Sequence, residues 1–536
     1  MKKLSIKDMT LRQKIGQTGM PGPAALQDGI IRCGGFDKYF QKYPFAGLYI
    51  CTDMWNHQQE LVTETREKLV EVLQKTQEAC EIPLLVACDA EFGAQGIVKE
   101  MHQIPSNMSV GAASDKELTY LLSYYYAKEL KSCGINWAFS PVLDLFPCFF
   151  SEGVRTMGDN PDVVVKVLPD MLKGYQDVGI ATTAKHFPGG KGDYRDAHMT
   201  TTVNRMTREE WDRYYLEIYR TAVEAGVDSV MLAHAAFPAV DPSFGRGAVP
   251  RPASASKKVI DILRKELQYD GVILTDAVSM RGFASAFEHA EGYIEGFNAG
   301  NDLILFCRDD YIDIMEQAVL EGKVSMERLD ESVERILRMK ERVGLFADRE
   351  PIVALTEEEN KAFDQANYDL AKKAITLINN VNDVVPFDAC KVKKVAVVYL
   401  AEEKGFEKYL QKMVQAFEDR GVQATLFDGI QSKAQMQELS ETMDIIICAC
   451  LFDGIHCKVP EIRRSLIHLS SYGAEKTVVA SFGTPTNYYN YFESVDVYLN
   501  AYSQDEGTMR AFVDGLLGNF AFTGTSPVEL MPRFDW

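Results

Sequence analysis

One loop of the chain concentrates side chains that can bind polar groups and transfer protons. Segment 185–198 contains Lys185, His186, Asp196 and His198, and it is too rich in glycine and charge to belong to a core. Glycine lets a backbone approach a ligand closely, and an imidazole that titrates at about pH 6.5 can both give and take a proton near neutrality. We therefore expect the chemistry of this protein in this loop.

A predicted strand precedes this loop. The run 180–184 has strand character, so the polar residues after it would emerge at the carboxyl end of a strand, where α/β barrels place their active sites. The chain alternates such runs with helical patterns, which predicts an α/β fold that begins with a (β/α)8 TIM barrel. The other strand-like runs are 46–51, 83–89, 138–144, 229–234, 271–276 and 302–306, with a weaker one at 17–20, and the helical patterns include 208–225 and 257–267.

Titratable residues end five of the predicted strands. Any single one could simply cap the helix that follows, since aspartate is common at that position. A parallel barrel, however, gathers the carboxyl ends of its strands around one mouth, so that together these residues indicate a site. They are Asp89, Asp144, His186, His234 and Asp276.

A second pattern begins after the barrel. The predicted helix 327–342 carries its apolar residues on one face and stops before Gly344. A helix over 366–377 is expected in the polar connector, followed by a smaller α/β domain with a parallel sheet, whose buried-strand patterns are 393–400, 444–451, 477–481 and 495–501. We predict a catalytic barrel over 1–346, a linker with a connecting helix over 347–392 and a C-terminal α/β sandwich domain over 393–536.

Composition and charge exclude several classes of partner. The 536 residues contain 57 lysines and arginines against 77 aspartates and glutamates, a formal charge of −20, which would repel nucleic acids and anionic lipid surfaces. The N-terminus has no apolar signal region, and no uninterrupted apolar run of about 18 residues occurs. Eleven scattered cysteines suggest reduced thiols. We expect a cytoplasmic monomer or homodimer with no nucleic-acid or membrane partner.

Several separate motifs carry a family resemblance. The sequence resembles glycoside hydrolase family 3, and within it the bacterial β-N-acetylglucosaminidase branch, over nearly its whole length. Two further segments, 481–485 and 515–518, resemble the C-terminal α/β sandwich of that family. The motifs that support the resemblance, in the order of the family, are 14–17, 155–159, 185–189, 196–198, 275–276, 299–302 and 344–346.

The resemblance implies a catalytic set. Retaining glycoside hydrolysis needs a carboxylate that attacks the anomeric carbon and a proton donor for the departing oxygen. Asp276 resembles the nucleophile of the family. The alternative is a purely structural role as the N-cap of a helix. In this branch an Asp-x-His pair supplies the proton, so His198 is the expected acid/base and Asp196 would hold its other ring nitrogen. A solvated loop histidine is the alternative for His198.

The resemblance also implies residues that bind the sugar. Asp89 would hold the far hydroxyls of the sugar in the minus-one subsite, and Arg155, Lys185 and His186 would complete that polar wall. Arg155 could instead form a structural ion pair with a nearby aspartate.

Two residues at the end of the 229–234 run, Met231 and His234, are weaker candidates for sugar binding. For His234 a packed, hydrogen-bonded role is favoured over direct contact with a ligand.

The expected activity is that of a retaining exo-β-N-acetylglucosaminidase. It would remove terminal β-linked N-acetylhexosamine from peptidoglycan- or chitin-derived fragments, as in peptidoglycan recycling, through a covalent glycosyl-aspartate intermediate. The scheme requires no cofactor and no metal, and its partner is a small glycan. Gly190, Ala197 and Phe92 stand where the family usually has histidine, serine and glycine, so the exact glycan stays open.

Four alternatives remain at this stage. One is a family 3 β-glycosidase of other specificity, and another is a phosphorylase, because an imidazole lacks the carboxylate charge that would repel an incoming phosphate. A barrel metallohydrolase could use His186, His198, His234 and a strand-end aspartate as ligands, although no His-x-His pair occurs in the sequence. A sugar-binding descendant without activity is the fourth.

Overall fold

The computed structural model describes residues 5–89, 91–146, 153–190, 193, 195–348, 351–401, 405–451, 465, 474–488, 492–493 and 495–530, with the backbone alone at 382. The chain divides into two compact units. The first comprises 1–102, 123–150 and 168–359, and the second comprises 103–122, 151–167 and 360–536. The domain limits expected after 346 and after 392 remain predictions.

The first unit is built on eight parallel strands. Strands β2 to β7 form one sheet in chain order, and β1 pairs with β8. Ala46 N donates to Gly19 O at 3.0 Å, and Thr275 N donates to Leu303 O at 3.2 Å, so the two sheets join at both edges. The predicted barrel is therefore confirmed, with β1 Gly19–Pro21, β2 Gly47–Tyr49, β3 Leu85–Cys88, β4 Trp137–Ala138, β5 Ala181–Phe187, β6 Ser229–Leu232, β7 Val272–Thr275 and β8 Ile304–Cys307.

Large apolar side chains fill the interior of this barrel. Trp137, Met231 and Leu274 belong to one buried cluster that draws on most of the strands. The indole nitrogen of Trp137 donates to Thr183 Oγ1 at 2.8 Å and to Ser229 Oγ at 3.0 Å, which satisfies its only polar atom. The barrel is thus a packed core, and ligands can reach its polar residues only at the mouth.

Helices alternate with the strands as the sequence patterns indicated. The helix predicted over 327–342 forms with a Ser325 N-cap, and the two patterns at 208–225 and 257–267 each contain a π-helical turn, Asp212–Leu216 and Ile262–Glu266. The helices are α1 Leu11–Gly16, α2 Pro23–Cys33, α3 Phe36–Lys42, α4 Arg66–Ala79, α5 Asn107–Ala113, α6 Lys116–Ser132, α7 Pro161–Val178, α8 Arg208–Trp211, α9 Glu217–Glu224, α10 Lys257–Asp261, α11 Arg281–Ala284, α12 His289–Ala299, α13 Tyr311–Leu320, α14 Met326–Arg342, α15 Glu357–Ala374, α16 Glu407–Glu418, α17 Lys433–Thr442 and α18 Glu506–Leu516.

The second unit contains a sheet that differs in part from the prediction. Its order is β11-β10-β12-β13-β14-β9, and β9 runs antiparallel to β14 while the other neighbours are parallel. The expected helix over 366–377 was placed too late, because α15 ends at Ala374 and β9 follows it. The strands are β9 Thr376–Asn380, β10 Lys394–Ala401, β11 Gln423–Asp428, β12 Ile445–Leu451, β13 Thr477–Ser481 and β14 Val497–Asn500.

Among the described residues, no helix is both long enough and apolar enough to cross a membrane.

Candidate active site

Asp276 stands directly after β7, at the mouth of the barrel. Its backbone N–H donates to Leu232 O at 2.9 Å, and its carboxylate accepts from the backbone N–H of Ala277 at 2.7 Å. Burial acts to raise the pKa of Asp276, but attraction to His186 and Lys185, together with the hydrogen bond from the Ala277 N–H, outweighs burial, so that the net pKa lies below the usual value. The group is therefore held as a carboxylate, the form that a nucleophile requires.

Lys185 connects two acidic side chains that follow β3. It lies on β5 with a side chain only 1% exposed, and its ammonium is 2.6 Å from both Asp89 Oδ1 and Glu91 Oε1. Tyr49, at the end of β2, donates to the other oxygen of Asp89 at 2.6 Å. Asp89 itself stays half exposed. This cluster can donate to and accept from adjacent hydroxyl groups of one sugar.

His186 is oriented by a buried carboxylate. Its Nδ1 lies 2.7 Å from Asp144 Oδ2, and its backbone N–H donates to the same oxygen at 3.2 Å. Both side chains are almost fully buried. Because a carboxylate can only accept, Nδ1 carries the proton, and Asp144 holds the ring of His186 in one orientation.

Asp196 and His198 form a second aspartate–histidine pair. Here Nδ1 of His198 is 2.7 Å from Asp196 Oδ1, and the His198 backbone N–H donates to that oxygen at 2.8 Å. Both side chains are more than half exposed. Burial acts to raise the pKa of Asp196, but the backbone N–H and the ring of His198 lower it below the usual value. Asp196 is therefore a carboxylate that fixes the ring of His198 by its Nδ1.

The loop that carries this pair is attached to the helix after Asp276. Arg281 N donates to His198 O at 3.0 Å, and Gly282 N donates to Ala197 O at 3.2 Å. A Cβ at Gly282 would come 2.8 Å from Ala197 O, so that only glycine permits this approach. The backbone of α11 thereby holds the Asp196–His198 pair next to the β7 end.

The start of the same loop is anchored by Asp193. This buried carboxylate accepts from the guanidinium of Arg195 and from Val203 N at 2.9 Å. The hydrogen bonds to Arg195, which outweigh the effect of burial, lower the pKa of Asp193 to about 2. Residues 191, 192 and 194 of the motif lie outside the described residues.

His234 holds the backbone of the residue that follows Asp276. Its Nε2 is 2.9 Å from Ala277 O and its Nδ1 is 2.7 Å from Ser254 Oγ. Since a carbonyl can only accept, Nε2 carries the proton and Nδ1 accepts from the serine hydroxyl, which is the neutral form of the ring. Burial lowers the pKa of His234, in agreement with this tautomer. Both ring nitrogens are thus engaged by the protein.

Two further predicted residues occupy other positions. Met231 on β6 is 2% exposed and belongs to the barrel core, opposite Lys185 in the strand register. Arg155 belongs to the second unit, where its carbonyl accepts from Asn107 Nδ2 at 2.9 Å. A role for Arg155 in sugar binding remains a prediction.

Sequence reasoning missed three residues of the site. Glu91 and Tyr49 complete the cluster around Lys185. A signal was present for both, since Glu91 lies two residues beyond the predicted run 83–89 and Tyr49 lies within the predicted run 46–51. The third is Phe306 on β8, whose φ of 59° lies in the left-handed region. That conformation costs about 1–2 kcal/mol for a residue other than glycine, and no pattern in the sequence predicts it.

The described residues contain no group of three or more histidine, cysteine, aspartate or glutamate side chains arranged to hold a metal ion.

Comparisons with known proteins identify the family of the barrel. Residues 10–339 match the glycosyl hydrolase family 3 N-terminal domain. The chain is 28% identical to a beta-N-acetylglucosaminidase/beta-glucosidase of Cellulomonas fimi over 525 residues, which cover 92% of this chain and 91% of that protein. It is 26% identical to the structure of a family 3 beta-N-acetylglucosaminidase from Paenibacillus sp., with a TM-score of 0.80 and coverage of 97% of this chain and 99% of that one.

A beta-glucoside phosphorylase has the same fold. Its structure is 24% identical to this chain, has a TM-score of 0.80 and covers 98% of this chain and 94% of that one.

Proposed function

The chain belongs to glycosyl hydrolase family 3 and is a glycoside hydrolase, and we propose that it removes terminal β-linked N-acetylglucosamine from small glycans with retention of configuration. The observation that carries the proposal is the Asp196–His198 pair, tied by α11 to the end of β7 where Asp276 stands. The names of the Cellulomonas and Paenibacillus relatives support the choice of sugar.

Asp276 acts as the nucleophile in this proposal. Its lowered pKa keeps it ionised near neutrality, and its attack on the anomeric carbon forms a glycosyl-aspartate ester while the bond to the departing oxygen breaks. His234 and the Ala277 N–H hold the backbone and one carboxylate oxygen in position, which leaves the second oxygen for attack.

His198 acts as acid and then as base. With Nδ1 donated to Asp196, Nε2 gives its proton to the departing oxygen in the first step and takes one from water in the second. Asp196 keeps the tautomer and stabilises the charged ring. The exposure of the pair suits this role, because water must reach the ester after the leaving group has gone.

Lys185, Asp89 and His186 bind the hydroxyls of the sugar. Asp89 is held by Lys185 and Tyr49, so its position is fixed before substrate arrives. Such prior positioning favours the transition state because no side chain has to be reoriented during the reaction.

Phosphorolysis is a second candidate. The proton donor of the proposed site is an imidazole instead of a carboxylic acid, so that one negative charge fewer opposes phosphate at the second step. The phosphorylase with the same fold supports this candidate only at the level of fold.

The test measures nitrophenol release from aryl β-N-acetylglucosaminide and aryl β-glucoside, with and without phosphate. We expect faster turnover of the N-acetyl substrate and no stimulation by phosphate. Treatment with a 5-fluoro N-acetylglucosaminyl fluoride, which slows release of the covalent intermediate, should label Asp276 in a peptide digest. Preference for the glucoside, phosphate stimulation or a label on another residue would each contradict part of the proposal. An Asp177→Ala change on the exposed surface of α7 is the control and should alter none of these results.

A further inference from the structure

A pocket of about 470 Å³ lies at the end of the barrel opposite the mouth. Its wall includes Asp270, which stands two residues before β7, and Gly300, which stands four residues before β8. Because the strands are parallel, these residues lie at the opposite end of the barrel from Asp276. The volume is within the range of about 300–1,000 Å³ that is typical of small-molecule sites. The wall also contains part of the motif 299–302, to which the proposed reaction gives no role.

Asp302 ends this motif as a fully buried carboxylate that three arginines share. It lies 2.5 Å from Arg264, 3.3 Å from Arg335 and 3.4 Å from Arg328. The side chains of these arginines line the pocket and are 17%, 18% and 19% exposed, in the same order. A structural ion pair needs one cation for one carboxylate, so this network holds more cations than its buried carboxylate balances.

The other carboxylates of the pocket wall are also shared. Asp261 lies 2.8 Å from both Lys257 and Lys265. Asp270 lies 3.0 Å from Arg335 and 2.9 Å from a further arginine of α14. Six cations thus surround four carboxylates, and this excess of two positive charges occurs in a chain whose formal charge is −20. The members of this basic cluster are the cations Lys257, Arg264, Lys265, Arg328, Arg335 and Arg338 and the carboxylates Asp261, Asp270, Asp302 and Glu331.

Two of the guanidiniums are fixed by the surrounding protein. Arg264 donates to the carbonyl oxygens of Tyr269 and Gly271 at 2.8 and 2.7 Å. It belongs to the π-helical turn 262–266, and such turns are frequent at functional sites. The guanidinium of Arg328 lies 4.8 Å from the centre of the Phe297 ring. The cations are therefore positioned before a ligand arrives, which lowers the entropic cost of binding.

The excess charge affects Arg264 and Arg335. Burial lowers the pKa of Arg264, Asp302 opposes this effect, and repulsion from Arg335 and Arg328 adds to it, so that the net pKa lies below the usual value. Arg335 donates to Asp270 and Asp302 through two of its nitrogens. Its remaining terminal nitrogen forms no hydrogen bond within the described part of the chain. An anion in the pocket would relieve the repulsion and accept from that nitrogen.

We propose that this pocket binds a doubly charged phosphoryl group, as inorganic phosphate or as a phosphate monoester. Guanidiniums recognise phosphate oxygens through paired N–H donors, and lysines add point charges. A phosphate monoester carries a charge of about −1.5 to −2 at pH 7, which matches the excess of the basic cluster. Gln268 and Asn298 on the same wall can bind polar groups of an attached organic part. The proposal does not depend on the proposed function, because the pocket lies away from Asp276.

The test is calorimetric titration of the full chain at low ionic strength with inorganic phosphate and with glucose 6-phosphate. We expect one site per chain, with a Kd of about 1 mM or tighter for at least one of the two. Tighter binding of glucose 6-phosphate would assign the ligand as a monoester, and equal binding would assign the phosphoryl group alone. Glucose, and chloride at equal ionic strength, should not bind. Absence of binding by both phosphates, or an equal response to chloride, would overturn the proposal.

A double variant at the rim places the binding in this pocket. Lys257→Gln/Lys265→Gln removes two lysines whose side chains are 66% and 68% exposed, so the buried network stays intact while the excess of two charges disappears. The affinity for phosphate should fall about tenfold or more. The matched control Lys68→Gln/Lys173→Gln removes two exposed lysines of α4 and α7 and should bind phosphate as the wild type does. Unchanged binding in the first variant, or an equal loss in the control, would overturn the proposal.

A second variant tests the buried part of the basic cluster. Arg335→Gln removes the guanidinium that lies between Asp270 and Asp302, and binding should be lost. Thermal melting reports whether this variant folds, and the rim variant decides the question if it does not. A phosphate signal that persists unchanged in both variants would come from another part of the protein, such as the barrel mouth, and would contradict the site. Hydrolysis of an aryl glycoside tests the proposed function separately.

Discussion

Two aspartate–histidine pairs stand at the barrel mouth, with the same contact and opposite surroundings. In both, Nδ1 lies 2.7 Å from a carboxylate oxygen that also accepts from the backbone N–H of the histidine. The side chains of Asp144 and His186 are 1% and 5% exposed, whereas those of Asp196 and His198 are 55% and 59% exposed. Solvation, not hydrogen-bond geometry, distinguishes them.

The difference indicates how one pair of residue types can serve two tasks. The buried pair joins the segment after β4 to β5, and its two residues are 42 positions apart in sequence, so its value is a fixed ring whose Nε2 keeps one position. The exposed pair lies within one loop and can exchange protons with water, as an acid/base must. Under the proposed function, the first pair positions the sugar and the second moves the proton.

Both pairs are proposed to act on the sugar that Asp276 attacks, so removal of Asp276 should have the largest effect. Asp276→Ala leaves neither a nucleophile nor a charge to stabilise the transition state, so kcat/KM should fall by about 10⁴-fold or more. The measurement is release of nitrophenol from an aryl β-N-acetylglucosaminide. Activity near that of the wild type would contradict the assignment of Asp276 as the nucleophile, on which the comparison of the two pairs depends.

The two histidines should differ in their dependence on the leaving group. His198→Ala should lower turnover of a disaccharide by about 10²–10⁴-fold, because its departing oxygen needs a proton. A dinitrophenyl glycoside needs little protonation and should lose far less. His186→Ala should lower both substrates equally.

The same pattern in both variants would mean that burial does not separate their roles. Restoration of His198→Ala turnover on the activated substrate by added azide, which replaces water as the second nucleophile, would sharpen the assignment. The corresponding addition should not help His186→Ala.

Loss of the aspartate should destabilise the protein more in the buried pair than in the exposed pair, which is the reverse of the order expected for loss of proton transfer. Asp144→Ala leaves a buried imidazole N–H and a backbone N–H without an acceptor, so the free energy of unfolding should fall by about 1–3 kcal/mol. Asp196→Ala removes an exposed partner and should cost less than about 1 kcal/mol. Denaturant unfolding of the two variants gives the comparison, and equal losses would argue against it.

The smallest expected effect is a shift in the pH profile. Because the pKa of Asp196 is lowered, this group is a carboxylate at every pH above its depressed value, and its contribution to stability fades as the pH falls through that value. Asp196→Asn removes the negative charge beside the proposed proton donor, so the alkaline limb of the activity profile should move to lower pH by about one unit or less.

Asp144→Asn is the matched variant for that profile. Its limb should keep the wild-type position, because the buried pair does not give up a proton in the reaction. A shift of equal size in both variants would assign both pairs to proton transfer.

Much of the barrel could be predicted from sequence because its strands are buried on both sides. The runs at 181–187 and 271–276 contain few polar residues before the site, and the structure places β5 and β7 there. β11 was missed because it is an edge strand with a single buried residue, Ala424, and β9 was missed because the helix pattern before it continued without a visible stop.

The site could be predicted in part. The motif residues Asp276, His198 and Lys185 stand at strand ends or in the loop after them, which a linear pattern reveals. The contact of Lys185 with Glu91 depends on the meeting of two strands, and the left-handed conformation of Phe306 depends on its neighbours in space. Neither follows from spacing along the chain.

The attachment of the acid/base loop to α11 gives access to its motion. Arg281 is the first residue of that helix, so its amide has no partner within the helix, and it donates instead to His198 O at 3.0 Å. Hydrogen exchange at Arg281 and Gly282 should therefore proceed only when the loop lifts away. The exchange of these two amides therefore reports opening of the loop, and it can be measured without altering any residue that touches the substrate.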